Sequence, residues 1–157
     1  MDTFDVVVLG SGAAALAAAV TAHGHGAESV AVFEKGDLVG GTSAMSGGMI
    51  WIPCNEHMVE FGYSDSREDA LRYLRALSHD KISDDLAAAY VDTGPEMLAW
   101  FEANTPVQFT IVENFPDYHP EHPGGKTDGG RSLECPLFPY DELGAWADRI
   151  TTSKQMA

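Results

Sequence analysis

The chain opens with short apolar runs separated by glycine-rich turns, then changes to helical spacing. Asp5-Val-Val-Val-Leu9 is an unbroken β-branched run closing at a glycine, the pattern of a strand buried on both faces of a parallel sheet. Gly10-Ser-Gly12 turns the chain. Residues 13–23 are almost all alanine and predict a helix, ended by Gly24 and Gly26. Residues 29–33 repeat the strand pattern. Strand, turn, helix and strand within about 30 residues make a βαβ unit with a right-handed crossover. A second glycine-rich stretch, residues 40–48, leads into the apolar Met49-Ile-Trp-Ile-Pro53. Further on, Ser66 with Asp69 resembles a capping box and opens a helix to about Leu77. Ser83, followed by Asp84 and Asp85, opens another that reaches Thr93. Gly94-Pro95 predicts a break or kink before helix resumes over residues 96–103. Residues 107–113 alternate as a strand, and residues 116–131, rich in Pro, Gly and His, read as a loop. The expected fold is α/β: a Rossmann-like βαβ unit with its glycine loop over residues 1–55, a helical segment over 56–104, and a strand and loop over 105–157.

Composition narrows the function classes. A chain of 157 residues, 45% hydrophobic and 21% charged, has room for one globular domain. Its net charge of −15 argues against nucleic acid and anionic membrane as partners. Cys54 and Cys135 are far apart and fit no metal-ligand or disulfide-framework spacing, so both are expected as free thiols in a reducing compartment. The apolar stretch 6–22 follows Asp2 and Asp5 rather than basic residues and is interrupted by Gly10, Ser11 and Gly12. It fits neither a signal peptide nor a membrane span. The expected location is cytoplasmic.

The chemistry lies in the first turn. Gly10-x-Gly12-x-x-Ala15 is a dinucleotide fingerprint in its required context, after a strand and opening a helix. Gly10 allows the tight turn, a Cβ at Gly12 would collide with a pyrophosphate, and Ala15 lets helix and strand pack closely. The helix then presents unpaired N–H groups, those of Ala13 and Ala14 with Gly12 and Ser11 beside them, to the phosphates. Glu34, 24 residues beyond Gly10, ends the second strand where a carboxylate accepts from ribose hydroxyls. An acid there disfavours the 2′-phosphate of NADP but does not separate FAD from NAD. The second loop bears on that choice. Gly40, Gly41, Gly47 and Gly48 let backbone approach a ligand, and Thr42, Ser43 and Ser46 offer hydroxyls, which favours FAD.

The segments Val8-Leu-Gly-Ser-Gly-Ala-Ala-Ala-Leu16, Val32-Phe-Glu-Lys35, Gly40-Gly-Thr-Ser-Ala-Met-Ser-Gly-Gly48 and Trp51-Ile-Pro53 resemble the FAD-dependent 3-ketosteroid dehydrogenases. These belong to the fumarate reductase/succinate dehydrogenase flavoprotein superfamily. The likeness continues through Tyr73-Leu-Arg-Ala-Leu77, Ala89-Tyr-Val-Asp-Thr93, Phe115-Pro-Asp-Tyr118 and Gly130-Arg-Ser-Leu133. The resemblance implies an enzyme that removes hydrogens from C1 and C2 of a 3-oxosteroid or a similar cyclic ketone. A tyrosine base takes the proton α to the carbonyl, and N5 of FAD accepts hydride. Tyr118 matches the family's active-site tyrosine that assists the base. Glu34 and Lys35 match the ribose end of FAD, and Thr42, Ser43 and Ser46 the flavin side. Family members run to several hundred residues, so the chain is expected to be the amino-terminal portion of such an enzyme. The base and the groups that bind the C3 carbonyl would lie downstream, and the chain alone is expected to be inactive.

Three other readings remain at this point. A fumarate-type reductase would need an Arg or His set for carboxylates, and none is visible. A nucleotide-binding remnant needing partner strands would expose apolar sheet edge. An NAD module would leave the 40–48 loop without a role. His119 and His122 are read as solvated loop histidines with no third ligand, so no metal is expected.

Overall fold

The computed structural model describes residues 2–152. They form two compact units: residues up to Gly48 with the described residues from Leu137 onward, and Met49–Pro136. The segment 49–55, expected with the glycine loop, lies in the second unit.

In the first unit, β1 (Val6–Leu9), α1 (Ala13–Gly24) and β2 (Val30–Phe33) realise the expected βαβ element. The two strands pair in parallel, Val6 opposite Val30 through Leu9 opposite Phe33. Asp5 fixes where they start. Its Oδ2 accepts from the Glu28 and Ser29 amides at 3.0 and 2.9 Å and from the Ser29 hydroxyl at 3.0 Å. These Ser29 bonds hold its carboxyl below the usual aspartate range. Alanine propensity carries α1, and Gly26, at φ +97°, ends it by donating to the His23 carbonyl at 3.0 Å. The expectation of strands buried on both faces is not met among the described residues. Leu9 is 80% exposed and Phe33 53%, because α1 covers only part of a two-stranded sheet. Two features were not foreseen from sequence. Val39 bridges in parallel to Ile150, and residues Tyr140–Arg149 form 3-10 turns on either side of Gly144.

In the second unit a three-stranded antiparallel sheet has the order β3 (Ile50–Trp51), β5 (Ser132–Glu134), β4 (Thr110–Ile111). Leu133, fully buried, pairs with Ile50 on one side and Ile111 on the other. Around it lies the core of Ile52, Met58, Leu98 and Ile111. The helices are α2 (His57–Glu60), α3 (Arg67–Ser78) and α4 (Asp84–Asn104).

The Ser66 hydroxyl accepts from the Asp69 amide at 3.1 Å, as the capping pattern requires. The reciprocal half differs: the Ser66 amide donates to Asp65 at 2.8 Å, while Asp69 accepts from the Ser66 hydroxyl. The break expected at Gly94-Pro95 is also absent. α4 runs through it, although Pro95 leaves the Val91 carbonyl without its helical donor. Packing outweighs that loss. Val91, Gly94 and Leu98 are buried on one face, and a Cβ on Gly94 would lie 3.0 Å from Ile52. The strand expected over 107–113 contracts to Thr110–Ile111. Among the described residues no helix is long and apolar enough to cross a membrane.

Ser66→Ala removes the cap of α3 and is expected to cost about 1 kcal/mol in urea unfolding. A change below about 0.3 kcal/mol would show that the Asp65 contact, not the hydroxyl, starts the helix.

Candidate nucleotide site and apolar pocket

The first unit gathers the expected nucleotide residues around the amino end of α1. Gly10, at φ +97°, turns the chain out of β1 and donates its N–H to the Phe33 carbonyl at 2.7 Å. Buried Ser11 then ties three segments together: its hydroxyl donates to Glu34 Oε2 at 2.5 Å and accepts from the Gly40 amide at 2.9 Å. Glu34 Oε1 accepts from the Gly36 amide at 2.9 Å. The Ser11 hydroxyl, followed by that amide, holds the Glu34 carboxyl below the usual glutamate range. It is therefore an ionised acceptor aimed at the glycine turn, with lone pairs left over.

Gly12 caps α1 with no side chain bonded across it. Ser43 takes one amide, accepting from Ala13 N–H at 3.0 Å. The amides of Gly12, Ala14 and Ala15 have no partner among the described residues. Gly12 itself has φ −72°, which any residue adopts, and an added Cβ would meet nothing nearer than Ser43 Oγ at 3.4 Å. The chain's own packing thus gives little reason for glycine at this position. Gly40 is different: at φ +107°, its Cβ would fall 2.5 Å from that of Ala44. Of the loop hydroxyls, Ser46 is spent internally, donating to the Ser43 carbonyl and accepting from the Gly48 amide. Thr42 and Lys35 are exposed, as are Gly41 and Gly47.

Tyr118 belongs to the second unit. It is 82% exposed, with its ring edge-on to Phe115 at 6.0 Å. Both of its neighbours are anchored. The His119 amide donates to the Tyr73 hydroxyl at 3.3 Å. Asp117, buried, accepts from Trp51 Nε1 at 2.6 Å, from Arg131 Nη1 at 2.8 Å and from the Lys126 amide at 2.8 Å. Arg131, 1% exposed, also forks onto Asp65 through Nε at 2.8 Å and Nη2 at 2.6 Å, and donates to the Gly124 carbonyl at 2.9 Å. Burial pulls the guanidinium pKa down, but the bonds and charges of Asp65 and Asp117 outweigh this and leave it above the usual arginine value. Its Cζ lies 5.4 Å from the centroid of the Trp51 ring and 5.7 Å from that of Tyr73. Next to this cluster is a cavity of about 680 Å³, lined by Trp51, Tyr73, Leu77, Phe115, Tyr118 and His119 among others; none of its lining residues is Lys or Arg.

A family model described as "FAD binding domain" matches residues 5–154. The chain belongs to this family. Its cofactor is FAD, which decides against the NAD module. The FAD binding domain is 50% identical over 150 residues, 95% of the chain, to a 4-oxocyclohexanecarboxylate 2-dehydrogenase of Sinomonas cyclohexanicum. It is 44% identical over 145 residues, 92% of the chain, to a 3-oxosteroid 1-dehydrogenase of Mycobacterium tuberculosis. These stretches cover 26% and 25% of the two relatives, so the chain spans about a quarter of their length. Among solved structures, the 3-ketosteroid delta1-dehydrogenase of Sterolibacterium denitrificans, in complex with 1,4-androstadiene-3,17-dione, superposes with a TM-score of 0.91 at 40% identity. It covers 99% of the chain and 27% of that structure's chain.

Within the FAD binding domain, sequence reasoning missed the partners of the Tyr118 loop. Tyr73, Asp117 and Arg131 stood out only as members of family segments, and Asp65 not at all, because none of them carries a local signal of burial. Breaking this cluster leaves two buried carboxylates short of a cation. Arg131→Ala is expected to lose roughly 3–5 kcal/mol in denaturant unfolding, and Arg131→Lys, which keeps charge without the fork, an intermediate amount. A loss under about 1 kcal/mol for both would show that the cluster is not what holds this unit.

Proposed function

We propose that the chain is the nucleotide-gripping and pocket-bearing part of an FAD-dependent dehydrogenase that desaturates a neutral cyclic ketone of the 3-oxosteroid kind at C1 and C2. The observation that carries this reading is the apolar cavity, lined by neither Lys nor Arg and with Tyr118 at its wall, in a chain of the FAD binding domain family. Bound FAD would supply the two-electron acceptor.

The first fifty residues have the donor set for FAD. The open amides of Gly12 and Ala14 at the start of α1, with Ser11 beside them and the Ala13 amide shared with Ser43, would receive the diphosphate. Glu34 accepts from the ribose, with Lys35 beside it. Gly40, Gly41, Thr42, Ser43, Ser46, Gly47 and Gly48 lie along the flavin side. Ser43, whose Oγ accepts from Ala13 N–H, keeps its own proton and would donate it to the bound cofactor. In the second unit, Trp51, Phe115 and Leu77 exclude water from an apolar ring system. Tyr118, fixed between two anchored neighbours, gives a phenolic hydroxyl that assists the base taking the proton α to the carbonyl.

A second substrate reading has support of its own. The 50% identical relative acts, by its name, on a ring ketone bearing a carboxylate. Such a substrate calls for a cation, and the cavity lining has neither Lys nor Arg. A net charge of −15 also opposes an anionic substrate. The neutral ketone is the better match.

The test is anaerobic flavin reduction by the polypeptide of the full reading frame that contains this chain. Androstenedione should bleach the flavin absorbance, 4-oxocyclohexanecarboxylate should not, and Tyr118→Phe should slow bleaching by roughly 10²-fold or more. Bleaching by the carboxylate alone would reverse the substrate assignment. An unchanged rate in Tyr118→Phe would remove that residue from the chemistry.

A further inference from the structure

The loop that carries Tyr118 continues as His119-Pro-Glu-His122, and the fold brings together three donors that the sequence presents as a lone histidine pair. One ligand atom each of His119, Glu121 and His122 lies within 4.8 Å of the other two. His119 Nδ1 is 3.1 Å from Glu121 Oε1, and the imidazole centroids are 5.5 Å apart. We propose that His119, Glu121 and His122 form a binding site for a zinc-class divalent cation at the wall of the apolar cavity, with the fourth position open to water. This assignment does not rest on the substrate reading above.

The turn is built rather than loose. The His122 amide donates to the His119 carbonyl at 3.0 Å and the Gly125 amide to the His122 carbonyl at 2.9 Å. Pro120 and Pro123 fix two backbone angles within it. Gly124 and Gly125 let it press against the body of the unit: a Cβ on Gly124 would fall 2.1 Å from the Asp69 carbonyl, and one on Gly125 2.8 Å from the Pro120 carbonyl. Asp117 cinches its base, donating from its amide to the Lys126 carbonyl and accepting the Lys126 amide at its side chain. The entropy of ordering the three ligands is thereby partly removed before any ion arrives.

Chemistry selects the ion. Two imidazole nitrogens and one carboxylate are the donors of an open zinc site, whereas magnesium and calcium require mostly oxygen. Tetrahedral ligand atoms around zinc lie about 3.4 Å apart, so closure needs rotamer shifts of roughly an ångström. His119 and Glu121 are exposed and free to make them. The overall negative charge raises the local concentration of cations. His119 serves two places at once, since it also lines the cavity next to Tyr118. An ion here draws the His119 ring toward Glu121 and His122, so occupancy of the site alters that wall.

The probes are Zn²⁺ and Co²⁺ titrated into the polypeptide of the full reading frame that contains this chain, read by calorimetry, by the Co²⁺ visible bands and by thermal melting. The expected result is one ion per chain, a raised Tm because the folded turn binds better than the unfolded chain, and no competition from Mg²⁺. His122→Ala and Glu121→Gln should each weaken binding roughly tenfold or more without changing the far-ultraviolet circular dichroism. Double replacement of His23 and His25, which lie in the first unit, should leave it unchanged. Equal affinity in His122→Ala and Glu121→Gln, or a Tm lowered by Zn²⁺, would overturn the site.

Discussion

A guanidinium removed from water survives only if its hydrogen bonds and charge are met inside the protein. Arg131 meets that condition with two carboxylates, Asp65 and Asp117, and one backbone carbonyl, Gly124. Asp117 and Gly124 come from the loop and turn that lead up to Arg131, whereas Asp65, just before α3, is 66 residues away. Trp51 adds its indole N–H to Asp117 and its ring to the guanidinium. Whatever Tyr118 does, it does because the residues on either side of it cannot move independently of this cluster.

The first unit is organised on a different principle. There the fold leaves groups incompletely paired. Amides at the head of α1 point at no acceptor of the described chain, Gly12 is glycine where the backbone does not need one, and Glu34 is held ionised by the Ser11 hydroxyl. These donors, beside a fixed acceptor, stand open to water and so remain available to a ligand. Ser11 links this arrangement to the glycine loop, because one hydroxyl bonds both Glu34 and the Gly40 amide.

Local signals made the first unit legible in the sequence. β-Branched runs, an alanine run and glycines at fixed offsets place β1, α1 and β2 within about a residue or two, and Glu34 stands where the spacing puts it. What escaped depends on distant partners. α4 passes through Pro95 because Ile52 packs on Gly94. Leu133 becomes the middle of a sheet only when Ile50 and Ile111 flank it. Burial of Arg131 depends on two aspartates, one 66 residues away. The hydroxyl of Ser43, expected to meet a ligand, already holds the Ala13 amide, a contact 30 residues apart that no spacing rule reports. Exposure of Leu9 and Phe33 likewise follows from how few strands the described sheet has, not from their apolar character.

The central claim is that the head of α1 is left open for a diphosphate, and Gly12→Asp tests it most directly. Aspartate is a favoured cap, so the variant's apo form should melt at the same temperature or higher. Its carboxylate would also take the free amides and repel phosphate. FAD bound per polypeptide, read from flavin absorbance of the purified full reading frame, should fall at least about tenfold while the fold is kept. Undiminished FAD in a stably folded Gly12→Asp protein would contradict the account.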